Sequence, residues 1–415
     1  MTKYLFKDIV LGEEGLLKGP FGSDLKKEFY VPKGENTYKV YLQENILKQD
    51  NNVGSHYISK QYFDEKMSRY EVKDNDFIVT CDGTLGEIFQ LKNITEKGVI
   101  SSSLLRITLN PEIVDADYFY YLFKAIIKRA LITQGNNSVL KHLPGLNVIR
   151  NHLIDLPDLI TQRRIGRVLK CIDDKIENNN KINAELESMA KTVYDYWFLQ
   201  FDFPDENGRP YKSSGGKMVW NEELKREIPE GWEAKRLGDI FNFVKGKIPD
   251  ELSETKGCGM VDYLTIDAIN IGTTQYCNPS SMPLTDGDVL MVMDGAASSE
   301  VYVGDKGAIG STFCKLEIQN EYIQDNFLYV IMKKLEDIFK KVNTGSTVPH
   351  ANKNYINDFY ICLPRDDNTR FELQKDIVLA INTIIHNKKE NKELISLRNF
   401  LLPLLMNGQV RFMKE

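Results

Sequence analysis

The strongest constraint on this chain is that it repeats itself. Lys7-Asp8-Ile9-Val10 matches Gly238-Asp239-Ile240-Phe241. Asp74-Asn75-Asp76-Phe77-Ile78-Val79 matches Asp286-Gly287-Asp288-Val289-Leu290-Met291 at an offset of 212, and Asp82-Gly83 matches Asp294-Gly295 at the same offset. Gly98-Val99-Ile100-Ser101-Ser102 matches Gly307-Ala308-Ile309-Gly310-Ser311 at 209, and Leu156-Pro157 matches Leu363-Pro364 at 207. Gln162 and Ile165 match Gln374 and Ile377, again at 212. The correspondences keep one order and a near-constant offset, about half the 415-residue chain. That period is too long for a solenoid and fits two copies of one domain-plus-helix unit.

Each copy begins with an α+β part. Val72–Val79 leads as an apolar strand into the turn signal Asp82-Gly83, and Val99–Leu109 reads as a second strand run. A helix is predicted at 117–132, where Tyr118, Tyr121, Leu122, Ala125 and Ile126 recur at helical spacing, with its copy at 325–341. The Asp-Gly pairs are read as tight turns needing positive φ, in preference to a catalytic role.

The second part of each copy is a long helix. Over 163–197 the heptad a positions are Ile165, Ile172, Asn179, Leu186 and Val193, and the d positions are Val168, Lys175, Ile182, Met189 and Tyr196. Over 374–406 the a positions are Ile377, Ile384, Asn391, Arg398 and Leu405, with Ala380, Leu394 and Leu401 at d. Such stripes mean core packing or a coiled coil. Asn179 and Asn391 share one a position near mid-helix. An antiparallel pairing would bring them together to set register, at some cost in stability. The alternative is two exposed residues matched by coincidence. Pro403 should end or kink the second helix near its last turns.

These patterns divide the chain into a domain at 1–160, a helix at 161–200, a Pro-, Gly- and Ser-containing linker at 201–234, a second domain at 235–369 and a second helix at 370–415. Apolar residues make up 42% and charged residues 27%, so a packed core is expected. No run approaches the roughly 18 apolar residues of a membrane span, and the N-terminal MTKYLFKDIV does not read as a signal peptide. Cysteines 81, 171, 258, 277, 314 and 362 are scattered, with no CxxC. That argues against a zinc ribbon, dithiol motif or disulfide scaffold and suits reduced cytoplasm. Net charge is −6, so any DNA binding must use local patches or a basic partner.

Enzyme signatures are missing. The chain has no GxxxxGK[ST], HExxH, GxSxG or GxGxxG, and its five histidines are isolated in sequence. Asp173-Asp174-Lys175 is better read as a solvated helix face than as a metal-nuclease site. No catalytic and no metal-binding residues are assigned.

Further segments resemble one family. Ile228-Pro229-Glu230-Gly231-Trp232-Glu233, followed by Arg236-Leu237-Gly238-Asp239-Ile240, resembles the entry to the second half of a type I restriction-modification specificity subunit. Gly19-Pro20-Phe21-Gly22-Ser23-Asp24-Leu25-Lys26 is similar to an early loop of one class of its target-recognition domains. Thr344-Gly345-Ser346-Thr347-Val348-Pro349 resembles the segment before that domain's final strand, and Gln162-Arg163-Arg164-Ile165 resembles the start of its spacer helix. The resemblance covers nearly the whole chain.

It implies two tandem mixed target-recognition domains, each reading one half of a split, asymmetric site on double-stranded DNA. Two long helices paired antiparallel hold them apart, giving a pseudo-twofold α+β chain. It further implies a non-catalytic subunit that recruits two methyltransferase subunits, joined by restriction subunits for cleavage. S-adenosylmethionine, ATP and Mg then belong to those partners, with no cofactor on this chain. A helix of about 35 residues reaches roughly 50 Å, so the pair is expected to act as a ruler between half-sites. The sequence departs from the pattern in two places. Gly135-Asn136-Asn137-Ser138 stands where the second copy has Gly345-Ser346-Thr347, and Asp294-Gly295-Ala296-Ala297-Ser298 lacks the second glycine of Asp82-Gly83-Thr84-Leu85-Gly86.

Residues 1–160 carry 20 basic and 21 acidic groups, whereas 235–369 carry 13 and 19. DNA contacts on the more acidic second domain must therefore sit in a few loops, because phosphate binding needs positive charge. The candidates in the first domain are Lys18, Ser23, Lys26, Lys27 and Lys33, then Gln134, Asn136, Asn137, Ser138, Lys141 and His142. In the second they are Lys245 and Lys247, then Thr344, Ser346, Thr347, His350, Asn352 and Lys353. Lysines would fix position on phosphates, while Gln, Asn, Ser and Thr can exchange hydrogen bonds with base edges. The competing readings are a self-contained DNA-modifying enzyme with diverged motifs and a coiled-coil interaction protein without DNA specificity.

Overall fold

The computed structural model describes residues 1–134, 142–270, 272, 275–319, 322–345 and 348–410. The chain divides into two compact units, Met1–Lys175 with Leu394–Glu415, and Ile176–Glu393.

In the first unit a four-stranded antiparallel sheet runs Leu16–Lys18, Leu104–Ile107, Phe77–Thr80, Ile88–Gln90. A three-stranded mixed sheet runs Tyr57–Ser59, Thr37–Tyr41, Gly98–Ile100, the last two parallel. Thr2–Leu5 pairs antiparallel with Leu153–Leu156. The strand Phe77–Thr80 is buried throughout because its alternate side chains enter different cores. Phe77 and Val79 pack with the helix residues Phe119 and Phe123, and Ile78 packs with Tyr41 and Ile100. A strand covered on both faces reads as an unbroken apolar run. The single run expected over Val99–Leu109 is two short strands in two sheets. Between them the chain turns, with Leu104 donating its backbone N–H to Ser101 O at 3.1 Å.

The second unit builds the same two sheets. The antiparallel one runs Phe241–Lys245, Phe313–Ile318, Leu290–Val292, Val301–Tyr302. The mixed one runs Gln275–Cys277, Val261–Leu264, Lys306–Ile309, Leu284–Asp286, again with one parallel pair, Val261–Leu264 with Lys306–Ile309. Its helix Asp325–Lys341 is continuous, whereas the first copy is α-helical over Ala116–Leu122 and Lys128–Gln134 and widens to a π-helix over Phe123–Ile127.

One buried glutamine does the same work in each unit. Gln162 Oε1 accepts the Asp115 backbone N–H at 2.9 Å, at the start of the Ala116 helix. Gln374 Oε1 accepts the Gln324 N–H at 3.3 Å, at the start of the Asp325 helix. Each ties a long helix to the helix packed on its sheet.

The long helices span Leu159–Tyr194 and Asp367–Met406, the second ending one turn past Pro403. In the first unit Ile165, Leu169 and Ile172 share a core with Leu405 and Met406, while Leu401 packs against it and Leu394 is half-buried. In the second unit Ala190, with Leu186 and Val193 packed alongside, joins Ile377, Ile381 and Ile384. Asn179 Nδ2 donates to Asn391 Oδ1 at 2.9 Å, and Asn387 Nδ2 donates to Asn183 Oδ1 at 2.9 Å, which fixes an antiparallel register.

The seam departs from the expected heptad at its second position. Ile182 is 37% and Met189 60% exposed, whereas Asn183 is half-buried and Ala190 is buried. The buried and half-buried stripe follows residues 165, 169, 172, 176, 179, 183, 186 and 190, keeping the a positions but falling one residue later than the d positions. A polar Asn183 and a small Ala190 at the close contact hide it from apolar patterning.

The 201–234 segment also differs from a plain linker. It contains the hairpin Met218–Asn221 with Arg226–Pro229. Phe203 stacks on Trp232 at 4.9 Å between ring centroids, with Phe201 and Phe198 at 5.5 and 5.6 Å from the same indole. Burial of these aromatic rings orders a chain whose Pro and Gly content signals a loop.

Candidate nucleic-acid interface

In both units a lysine ends the first strand of the antiparallel sheet, and a glycine follows. Lys18 is registered with Leu105 and Lys245 with Cys314. A Cβ on Gly19 would lie 1.9 Å from Ser101 O, and one on Gly246 would lie 2.0 Å from Gly310 O. Only glycine permits this approach of the backbone to the neighbouring loop, which leaves each lysine exposed at the sheet end.

Across the central strand of each sheet, Phe77–Thr80 or Leu290–Val292 leads into Asp82-Gly83 or Asp294-Gly295, with Gly83 at φ 71° and Gly295 at φ 97°. The turn accounts for the glycines, but each aspartate does more. Asp82 forms a β-bridge with His142, and Asp294 forms one with His350. His142 Nδ1 lies 2.6 Å from Asp82 Oδ1, and His350 Nδ1 lies 2.7 Å from Asp294 Oδ1. Backbone bonds from Leu143 N to Cys81 O (3.0 Å) and from Ala351 N to Met293 O (2.8 Å) hold the two segments together. The sequence signal was available, since both aspartates and both histidines recur at offsets of 212 and 208. Reading the Asp-Gly pairs as turns alone missed it.

In the second unit these elements enclose a cavity of about 330 Å³. It is lined by Lys245, Asp294, Cys314, Thr344, Asn352 and Lys353, among others, so four of the candidates converge there. Burial pushes the Cys314 thiol up, and the positive charges of Lys353 and Lys245 pull it back. Lys353 Nζ also lies over the Phe243 ring, 5.2 Å from its centroid. Thr344 and His350 exchange backbone hydrogen bonds of 2.9 and 2.8 Å, closing the loop that carries them. In the first unit burial pushes the Cys81 thiol up to about 12, opposed by Lys18.

Other candidates are placed apart. Lys33 is drawn into an ion pair with Glu96 at 3.0 Å and lies over the Tyr57 ring. That charge is partnered within the protein. Lys247 Nζ reaches Ser281 O at 3.4 Å and does not line the cavity. Ser23, Lys26 and Lys27 sit on an exposed loop, Lys26 within 3.9 Å of Glu28. Gln134 ends its helix. Asn136, Asn137, Ser138, Lys141, Ser346 and Thr347 lie outside the described residues. Among the described residues no group of His, Cys, Asp and Glu is arranged to hold a metal ion, and no helix is long and apolar enough to cross a membrane.

The chain thus contains two tandem copies of one sheet pair, each presenting a lysine and an Asp–His pair at a sheet end. A model of the type I restriction modification DNA specificity domain matches residues 23–188 and 229–397, one copy for each half of the repeat. The chain belongs to the specificity subunits of type I restriction-modification systems. It is 25% identical over 316 residues to the type I restriction enzyme MjaIX specificity subunit of Methanocaldococcus jannaschii, covering 72% of this chain and 70% of that one. It is 21% identical over 397 residues to the HindI specificity subunit of Haemophilus influenzae, covering 78% and 84%. The crystal structure of an S subunit from M. genitalium shares the fold, with a TM-score of 0.63 and 19% identity over 100% of this chain and 96% of that one. The family's role is DNA recognition without catalysis, exercised in a complex with other subunits.

Proposed function

We propose that each unit reads one half of a bipartite DNA site, through the loops at its sheet end. The repetition of the lysine and the Asp–His pair in both units is the observation that supports this. The loops differ between the units, so the two half-sites should differ in sequence. In the first unit the contacts are Lys18, Ser23, Lys26, Lys27, Gln134, Asn136, Asn137, Ser138, Lys141 and His142. In the second they are Lys245, Lys247, Thr344, Ser346, Thr347, His350, Asn352 and Lys353. Lysines set position on phosphates, and the amides and hydroxyls meet base edges. The subunit recruits two methyltransferase subunits that bring S-adenosylmethionine, and restriction subunits that bring ATP and Mg.

Methylome mapping tests this reading. Changing Asn136, Asn137 and Ser138 together to Ala should alter one half-site and leave the other intact, because separated sites act independently. Changing Thr344, Ser346 and Thr347 should alter the other half. A triple variant that changed both halves equally, or neither, would overturn the loop assignment.

A further inference from the structure

We propose that the two Asp–His pairs are base-reading elements, each presenting a hydrogen-bond acceptor to an exocyclic amino group of one base in its half-site. The proposal rests on the reading that the sheet-end loops face DNA.

The chemistry follows from the geometry. A carboxylate can only accept, so in both pairs the hydrogen between Asp Oδ1 and His Nδ1 is carried by the imidazole. That hydrogen bond sets the tautomer of a neutral ring, and the proposal concerns this neutral form. A neutral ring with its hydrogen on Nδ1 keeps a lone pair on Nε2 and is an acceptor there. The backbone bridges Asp82–His142 and Asp294–His350 hold both partners to the same strand end, so the orientation of the ring is built in. The rings are still half open, with side-chain exposures of 51% for His142 and 50% for His350.

An acceptor cannot satisfy a phosphate oxygen, which is itself an acceptor. On a duplex its partners are the amino groups of bases, namely adenine N6 and cytosine N4 in the major groove and guanine N2 in the minor groove. In the major groove each base pair carries one such amino group, on one strand. A dyad of this kind therefore distinguishes adenine or cytosine from guanine or thymine on the strand it faces.

A purely structural clip is the competing explanation. The backbone bridge and the bonds Leu143 N to Cys81 O and Ala351 N to Met293 O already join the segments. An aspartate and a half-exposed imidazole are not needed for that task. They nevertheless recur in both units, while their neighbours change from Leu143-Pro144-Gly145 to Ala351-Asn352-Lys353.

The test uses the assembled complex with its methyltransferase subunits and duplexes carrying the methylome-mapped target. Single amino groups are deleted in turn by placing purine for adenine, pyrimidin-2-one for cytosine or inosine for guanine, and affinity is read by competition. In the wild type one deletion in each half should weaken binding about 3- to 10-fold, the range of one net hydrogen bond. His142→Ala should abolish that penalty in one half only, and His350→Ala in the other half only. His→Gln, which keeps a side-chain acceptor, should restore part of it. The half-site read by the unaltered unit reports that the protein is folded. Penalties that persist unchanged in both His→Ala variants would overturn the proposal. So would variants that weaken every duplex by one common factor, or a penalty that follows loss of guanine O6 or N7 in place of an amino group. A wild-type complex that binds its mapped target no better than a scrambled duplex would overturn the loop reading itself.

Discussion

The two units share a frame and differ in how they furnish it. The first has near-balanced charge and a single lysine, Lys18, at the end of its first sheet strand. The second carries 13 basic against 19 acidic groups over 235–369, yet gathers Lys245 and Lys353 around one cavity. The second also has an aromatic box that the first lacks at the matching strand. Glu233 is registered with Leu363 as Thr2 is with Leu156, so Trp232 stands where the first unit has Met1, which is 59% exposed. The lesson is that a duplicated scaffold keeps its hydrogen-bonded skeleton, while charge and local anchoring drift separately in each copy.

The sharpest way to break the comparison is to empty the aromatic box. Trp232→Ala removes a ring packed among Phe198, Phe201 and Phe203 and should destabilise the second unit by about 3–5 kcal/mol. Hydrogen exchange resolved by segment should show lost protection in 201–234 and the second sheets, with the first unit's sheets unchanged. Equal loss in both units would show that the units do not respond separately.

The asparagine network comes next. Asn391 bonds Asn179 and also donates to Asn180 Oδ1 at 2.9 Å, and Asn179 donates to Glu390 at 2.7 Å. Asn391→Leu removes two of these bonds, leaves the buried Asn179 amide with its bond to Glu390 alone among them, and should cost about 1–3 kcal/mol in thermal or urea unfolding. Replacing Asn179 and Asn391 together by Leu should recover most of that cost. A single variant as stable as the wild type would mean the network contributes nothing.

Charge separates the units more finely. Salt dependence falls by about one counterion-release unit for each phosphate-bound lysine removed. Lys245→Ala with Lys353→Ala should therefore flatten the dependence of affinity on salt about twice as much as Lys18→Ala. Lys33→Ala should leave it unchanged, because Glu96 already holds that ammonium group. Equal slopes for all three would refute the convergence of two lysines on one DNA phosphate tract.

The smallest effect concerns the turn after Asp294. The second glycine of the first unit, Gly86, has φ 68° and donates to Thr80 O at 2.9 Å. In the second unit Ser299, at φ 78°, makes the equivalent bond to Val292 O at 2.8 Å. The turn is one residue longer, and a serine occupies the left-handed position. Its hydroxyl donates to Asn343 Oδ1 at 2.8 Å, which offsets the strain. Ser299→Gly trades about 1 kcal/mol of backbone strain for a hydrogen bond of about the same worth. Unfolding should therefore shift by less than ~1 kcal/mol, and a larger stabilisation would show the serine to be strained without compensation.

By itself the sequence determined what depends on order and period. The offset near 212 announced two copies, Gln162 and Gln374 marked one structural role, and the a positions located Asn179 and Asn391 on one stripe. These are properties of neighbours along the chain or of a regular repeat, and they survive without knowledge of what packs where. Tertiary structure decided the rest. Which face of the first long helix is buried at its second seam position depends on Asn387 facing Asn183, a contact 204 residues distant in sequence. The pairing of Asp82 with His142 spans 60 residues and that of Asp294 with His350 spans 56, so each turn signal concealed the partner of its own aspartate. The convergence of Lys245 and Lys353 likewise arises only when the strand Phe241–Lys245 and the start of the short helix Lys353–Asn357 meet at one cavity. Local pattern reports how a segment folds; the identity of its distant partner is fixed by packing, and at the candidate interface it is the distant partner that sets the chemistry.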